Sequence, residues 1–540
     1  MREPGDLPGI SVLLRREVEC FCKWTIFSMV SNGFYFDGNS CEQEFFCFGG
    51  VDAMSGIMIQ GTASSAGKSL MAAGLCRIFS NDGYRVCPFK SQNMSLNSYV
   101  TMEGLEMGRA QVLQAQAARV EPSVSMNPIL LKPTSDRKSQ VILKGRPYRN
   151  MDAVEYFAFK PQLKDMIGEV YRELESRFDL VVIEGAGSPA EINLKENDIV
   201  NMGMAEIADA PVLLVADIDK GGVFASIYGT VMLLEEEERK RIKGIIINKF
   251  RGDKSLLQSG VDRIEELVNI PVIGIVPYMQ VKLEEEDGAT DFRSIGKGEV
   301  RICVVKLPRI SNFTDFDAFE LDDDVSLQFI TSPDEADNCD MLILPGSKNT
   351  IEDLRWLKKA GFGEYLKSFR GTVFGICGGY QMMGGKITDS EGWEVGKGEE
   401  ESGFGIFDTA TVFEGGKVTS NVEGEAWGCR IRGYEIHSGK TSGNRNSFVN
   451  IKSREGKESD YWDGDRKEDR FFGTYVHGIF DSGGFRESVL NRIRRQKNIG
   501  EKKGTDLWER REEEMEKLAS IVRENLDMNY IYRLVGKKND

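Results

Sequence analysis

Short apolar runs recur along this chain from residue 57 onward, each closed by Gly, Pro or Asp. They lie at 57–59, 180–183, 212–215, 245–247 and 272–276, with amphipathic or polar segments between them. Runs that are short and apolar throughout predict strands buried on both faces and joined by helical crossovers. A second series begins at 301–305 and continues at 341–344 and 373–376. The stretch 281–300 between the two series is charged and contains glycine, as a linker does. The predicted fold class is α/β, with two parallel-sheet domains at 54–285 and 301–485 joined by a linker at 286–300. In such sheets functional groups collect at the carboxyl ends of the strands. The charged tail 486–540 carries an apolar stripe of Leu518, Ile521, Val522 and Leu526, which predicts a docked C-terminal helix.

The first 53 residues break this pattern. They hold Cys20, Cys22, Cys41 and Cys47 and aromatic clumps such as Phe34-Tyr35-Phe36, without sustained helical or strand periodicity. Their cysteine spacings, C-x-C and C-x5-C, are not the C-x2-C pairs of zinc sites. The stretch 25–36 is too short and too interrupted for a signal segment. The expectation is an atypical extension, with the native start at Met54.

Composition narrows the function. Of 540 residues, 41% are hydrophobic and 29% charged, and the net charge is −16. That balance argues against nucleic acid as a partner, because backbone binding needs a positive footprint. An anionic small substrate stays open, since a local Lys or Arg cluster can oppose the global field. The 10 Cys are scattered, which points to a reducing cytoplasm rather than a disulfide framework. No apolar run approaches the roughly 18 residues a membrane-spanning helix needs.

The segment Gly61-Thr62-Ala-Ser-Ser-Ala-Gly67-Lys68-Ser69 follows a predicted strand and precedes an amphipathic helix. In that setting backbone amides and the helix N-terminus hold phosphate oxygens, Lys68 reaches the terminal phosphates and the Ser69 hydroxyl faces Mg²⁺. The first glycine sits one residue early for G-x4-G-K-S. Glu184 and Asp217 each end a strand near this loop and are candidate metal ligands. Asn248, at the end of another strand, is a candidate for the adenine edge, and Lys90 for a phosphate or a substrate carboxylate. Gln111, Gln114 and Gln116 belong to an unusually polar block between loop and linker that also reads as a solvated loop.

The second motif is Gly375-Ile-Cys377-Gly378-Gly379, again directly after a strand. Small neighbours permit the strained strand-to-helix elbow that a nucleophile needs. Cys377 is the candidate nucleophile, with the N–H groups of Gly378 and Gly346 as candidate oxyanion donors. A thiolate of this kind needs a base, and the chain has only 2 His. His477 ends a strand-like run and is favoured over His437.

These residues and the segments Gln92-Asn-Met-Ser-Leu-Asn-Ser-Tyr99, Asn127-Pro-Ile-Leu-Leu-Lys-Pro-Thr-Ser-Asp136, Glu184-Gly-Ala-Gly-Ser-Pro189 and Gly433-Tyr-Glu-Ile-His437 resemble the glutamine-hydrolysing cobyric acid synthases. The likeness runs from Met54 to about residue 535. It implies a P-loop NTPase-like domain of the dethiobiotin-synthetase type fused to a class I glutamine amidotransferase domain. It also implies ATP, Mg²⁺, L-glutamine and a corrinoid as ligands. The implied activity is amidation of the b, d, e and g carboxylates of adenosyl-cobyrinic acid a,c-diamide, with Cys377 as nucleophile and His477 as base. The wider glutaminase group has His-x-Glu at the base, whereas position 479 here is Ile, so the orienting acid is either missing or supplied from elsewhere, with Glu435 as one substitute. The alternatives are the related a,c-diamide synthase and a nucleotide-binding regulator with an inactive cysteine domain.

Overall fold

The computed structural model describes residues 56–95, 97–133, 138–281, 283 and 296–536. The expectations for residues 1–53, for 134–136 and for most of the linker lie outside the described residues.

The first domain is built on six parallel strands in the order Val272–Pro277, Ile242–Phe250, Val212–Asp217, Gly56–Gly61, Leu180–Glu184, Val86–Phe89. Apart from the half-buried edge strand Val272–Pro277, their side chains are largely buried on both faces, which is why the sequence shows apolar runs and no alternation. Ile59 lies opposite Glu184 and Gly61 opposite Val215, so the loop after Gly61 emerges between the ends of two strands that carry Glu184 and Asp217. The helix Lys68–Asn81 follows. A smaller four-stranded sheet (Gln92–Met94, Ile129–Pro133, Lys138–Leu143, Arg146–Asp152) and a hairpin of Ser98–Val100 with Glu106–Gly108 complete this domain.

The second domain has its own six-stranded sheet, ordered Val325–Ile330, Val300–Val305, Met341–Leu344, Thr372–Ile376, Phe471–Thr474, Asp465–Lys467. All neighbours are parallel except the last pair. A seven-stranded, mainly antiparallel sheet built on Asp408–Ala426 and Cys429–Asn444 packs beside it. Phe374, on the strand that leads to Cys377, is fully buried among Phe448, Phe472, Phe480 and Phe485, which holds that strand rigidly. Burial of one such ring contributes about 1.5–3 kcal/mol.

The tail expected from residue 486 opens on a helix that packs in the second domain. The helix Gly483–Gln496 belongs to the second domain, where Phe485, Val489, Leu490 and Ile493 join its core and Arg486 donates to Asp322 at 2.9 Å. The helix Leu507–Asn525 then returns to the first domain and lies along Lys68–Asn81. Leu518 and Val522 pack over Gly74 so closely that a Cβ there would come within 2.9 Å of Val522, and Arg77 pairs with Glu512 at 3.0 Å.

Candidate functional site

The cysteine elbow forms because its neighbours leave no room for larger residues. Cys377 adopts φ 51° and ψ −108°, a strained conformation, at the start of the helix Gly378–Met383. A Cβ on Gly379 would lie 1.9 Å from the Leu344 carbonyl, and one on Gly375 would lie 2.6 Å from Met383. The strain at Cys377 is thereby fixed by contacts on both sides of it. Its Sγ faces the Ile436 carbonyl at 3.6 Å.

His477, fully buried, is held by an acid that the sequence reading missed. Its Nδ1 lies 2.7 Å from Asp315 Oδ2, and Asp315 Oδ1 accepts from the Gly478 N–H at 2.9 Å. A carboxylate accepts only, so Nδ1 carries the proton and Nε2 is the basic nitrogen. Burial pushes the imidazole pKa down, but Asp315 and then Cys377 outweigh it and raise the group to about 10. Tyr434 stacks on the ring at 5.2 Å.

Glu435 does not orient this histidine. It accepts from Tyr461 Oη at 2.9 Å, on the strand face opposite Tyr434. His437 stacks on Tyr475 at 3.8 Å with Nδ1 2.9 Å from the Gly439 carbonyl, and burial lowers it to about 4. Gly346 lies against His477, since a Cβ there would be 3.0 Å from the ring, and the Ser347 N lies 2.9 Å from where a Gly378 Cβ would stand. The backbone of Gly346, Ser347 and Gly378 thus converges beside Cys377.

At the other site Gly67 takes φ 99°, with Asn248 where a side chain would go. Gly61 and Thr62 lead into the loop, and the Thr62 N–H donates to Val215 O at 2.9 Å. Lys68 Nζ donates to the Ala63 and Gly187 carbonyls at 3.0 and 3.1 Å. Glu184, only 1% exposed, accepts from Ser69 Oγ at 2.8 Å, Lys90 Nζ at 3.1 Å and Gln114 Nε2 at 2.5 Å. Gln114 is therefore part of this cluster, and it is buried rather than solvated. Asp217 accepts from Lys249 Nζ at 3.0 Å, and that amine also holds the Ser65 carbonyl at 2.6 Å. Asn248 donates to Ala66 O at 2.9 Å and so braces the loop.

A buried polar seam joins the two domains. Ser98 N donates to Asn312 Oδ1 at 3.1 Å, and Asn312 Nδ2 lies 3.3 Å from His477 Nε2. Glu106 accepts from Lys132 at 2.6 Å and, across the boundary, from Lys417 at 2.5 Å. Burial opposes ionisation of Glu106, yet the two lysines hold its carboxyl below the ordinary range. Lys348 donates to Gln140 at 2.9 Å and Asn421 to the Val100 carbonyl at 2.5 Å.

Comparison with known proteins agrees with both halves. A family model of the CobQ/CobB/MinD/ParA nucleotide binding domain matches residues 57–289. One of the CobB/CobQ-like glutamine amidotransferase domain matches residues 301–485. Fold and matches together define a glutamine amidotransferase fused to a nucleotide-binding domain. Among its relatives, the cobyric acid synthase of Clostridium botulinum (strain Loch Maree / Type A3) is 53% identical over 494 residues, 90% of this chain and 100% of that protein. The cobyric acid synthases of Clostridium acetobutylicum (strain ATCC 824) and Clostridium tetani (strain Massachusetts / E88) are 54% and 52% identical, each covering 89% of this chain and 99% of their own. The chain belongs to the cobyric acid synthase family.

Proposed function

We propose that this protein amidates the b, d, e and g side-chain carboxylates of adenosyl-cobyrinic acid a,c-diamide to give adenosyl-cobyric acid, using ATP and glutamine. The observation that carries this reading is the 53% identity with a cobyric acid synthase across that relative's full length. The geometry of the two sites supplies the chemistry.

In the second domain the Cys377 thiol gives its proton to His477 Nε2, and the thiolate attacks the side-chain carbonyl of glutamine. The amide N–H groups around Cys377 face the oxyanion. The imidazolium returns the proton to the leaving nitrogen, ammonia departs and water clears the glutamyl thioester. Asp315 holds the Nδ1 proton, so the exchange with Cys377 and with the leaving nitrogen runs through Nε2.

In the first domain a corrinoid carboxylate takes the γ-phosphoryl group of ATP, because a free carboxylate is a poor electrophile. Lys68 holds the phosphates and Lys90 the developing negative charge. Ammonia attacks the acyl carbon, loses a proton and displaces phosphate. Ser69 Oγ and Glu184 Oε1, 2.8 Å apart, are hard oxygen donors that suit Mg²⁺, which takes one or two carboxylates and completes its shell with phosphate oxygens and water. Held by Ser69 and Glu184, such an ion would supply neutralisation of phosphate charge. Ammonia passes between the sites in an enclosed route that keeps the acyl phosphate from water.

The test is mass spectrometry of the corrinoid after incubation with enzyme, ATP, Mg²⁺ and glutamine. Four successive carboxyl-to-amide steps, absent without ATP, are expected. Conversion of cobyrinic acid to its a,c-diamide instead would move the protein to the neighbouring amidase activity.

A further inference from the structure

His437 takes no part in the proton transfers of His477, yet it stands beside the nucleophile. The residue before it, Ile436, turns its carbonyl to Cys377 Sγ at 3.6 Å. The His437 ring lies on Tyr475 with centroids 3.8 Å apart. The Tyr475 hydroxyl sits between Thr441 Oγ1 at 2.6 Å and Gln381 Nε2 at 3.1 Å, and Thr350 Oγ1 donates to Gln381 Oε1 at 3.3 Å. Gln381 belongs to the helix Gly378–Met383 that begins at Cys377. One short network therefore fixes the second imidazole relative to the elbow.

The ring also has a fixed tautomer. Its Nδ1 lies 2.9 Å from the Gly439 carbonyl, which only accepts, so Nδ1 carries the hydrogen. A Cβ on Gly439 would meet Gln381 and Thr411 at 2.6 Å, so the residue that supplies this carbonyl is tightly enclosed. Burial lowers the imidazole pKa, the Gly439 carbonyl raises it, and the charges of His477 and Arg454 lower it again, leaving about 4. At neutral pH the ring is uncharged, with a lone pair at Nε2 that accepts hydrogen bonds and donates none. Among the described residues no hydrogen bond reaches that nitrogen, and part of the side chain stays open.

We propose that His437 is a specificity-determining residue that reads the side-chain amide of glutamine by accepting one of its N–H groups at Nε2. When the thiolate adds to the carbonyl carbon, the amide nitrogen turns tetrahedral and its lone pair takes the proton from His477 Nε2. Its two original hydrogens face acceptors on consecutive residues, the Ile436 carbonyl and the His437 lone pair. The C–N bond breaks and ammonia leaves with all three hydrogens. Hydrolysis of the thioester then puts a carboxylate where the amide stood. Its oxygens bring only lone pairs to Nε2, so the nitrogen that holds glutamine turns glutamate away. A charged histidine would do the reverse, because an Nε2–H would bind the carboxylate. The inference rests on the glutamine half of the function proposed above.

The experiment compares glutamine with L-glutamic acid γ-methyl ester, which forms the same thioester but has no hydrogen on its leaving oxygen. Glutamate or methanol release by the full chain is measured with ATP, Mg²⁺ and adenosyl-cobyrinic acid a,c-diamide present. His437→Asn keeps a donor for the Gly439 carbonyl and ends short of Nε2. His437→Phe keeps a ring on Tyr475 and removes both nitrogens. In each variant the ratio of kcat/KM for glutamine to kcat/KM for the ester is expected to fall about tenfold, the scale of one hydrogen bond. Inhibition by added glutamate is expected to strengthen in both. If both substrates lose kcat/KM by the same factor, His437 only packs on Tyr475 and the proposal is overturned. Wild-type values for both substrates in both variants would overturn it as well. A wild-type protein that hydrolyses glutamine but amidates no corrinoid would instead overturn the corrinoid reading, and the ratio would still decide the role of His437.

Discussion

The two sites of this chain are assembled on opposite principles. The cysteine site is a fixed constellation: a strained elbow, a histidine locked by one buried carboxylate, and backbone amides around them. The nucleotide site is a network whose members satisfy one another, with Lys68 on two carbonyls and Glu184 on Ser69, Lys90 and Gln114. Binding a nucleotide there means exchanging bonds already made, whereas glutamine meets groups whose geometry is already set. The difference suits the division of labour, since covalent catalysis needs placement to within fractions of an ångström and phosphoryl transfer needs charge that follows the phosphate.

The sharpest way to break the comparison is to remove the nucleophile. Cys377→Ala is expected to lower glutamine-dependent amidation by about ten-thousandfold or more, as loss of a covalent nucleophile does. Amidation supplied with ammonium chloride should persist within about twofold, because the nucleotide network is untouched. Loss of both rates would mean the two sites are not separable.

Asp315→Asn sharpens the role of the buried acid. The amide keeps the shape but no longer fixes the tautomer or stabilises the imidazolium, and a fall of about a thousandfold in glutamine hydrolysis is expected. The raised histidine pKa, about 10 in the wild-type protein, should drop, so the alkaline limb of the pH profile moves to lower pH. Ammonia-dependent amidation is again the internal control. The nucleotide site gives the mirror image. Lys68→Ala should lower amidation from either nitrogen source by about a hundredfold, the usual loss of one charged phosphate contact, while unstimulated glutamate release continues.

Much of this was legible in the chain. The apolar runs predicted eight of the parallel strands because burial on both faces leaves an unbroken apolar signature at the central ones. The phosphate loop and elbow were legible because their chemistry is carried by consecutive residues. The long antiparallel sheet of the second domain was not, since strands such as Asp408–Ala426 are half exposed and mix Gly, Glu and Asn with Val. Asp315 was invisible for a different reason. It stands 162 residues before His477, and only the approach of the segment Phe313–Leu321 to the strand end at Val476–His477 brings them together. Gln114 looked like a loop residue because its partner Glu184 is 70 residues away. Local pattern reports backbone preference, while an acid that serves a distant base leaves no local pattern.

The smallest expected effect falls on the acid that sequence proximity favoured. Glu435 neighbours Tyr434, which stacks on His477, but its own side chain crosses to the other face of the strand and accepts from Tyr461. Glu435→Gln keeps an oxygen for that hydroxyl, so glutamine hydrolysis should change by less than about twofold. Its stability should nevertheless respond to pH. Burial first, and Asp463 second, raise the Glu435 carboxyl to about 7, against 4.5 for an unhindered Glu. Between those values the folded state binds the proton that the unfolded state has released, so the wild-type protein loses stability as pH rises from about 5 to about 7. Gln carries no such proton, and the variant should gain thermal stability relative to wild type across that interval and hold the gain above it. Melting curves of both proteins at pH 5 and pH 8 check the sign. A constant difference between the two pH values would place the ionised carboxylate in a more hospitable environment than its neighbours Tyr461 and Asp463 provide, and a large loss of glutaminase activity would return Glu435 to the catalytic site in place of Asp315.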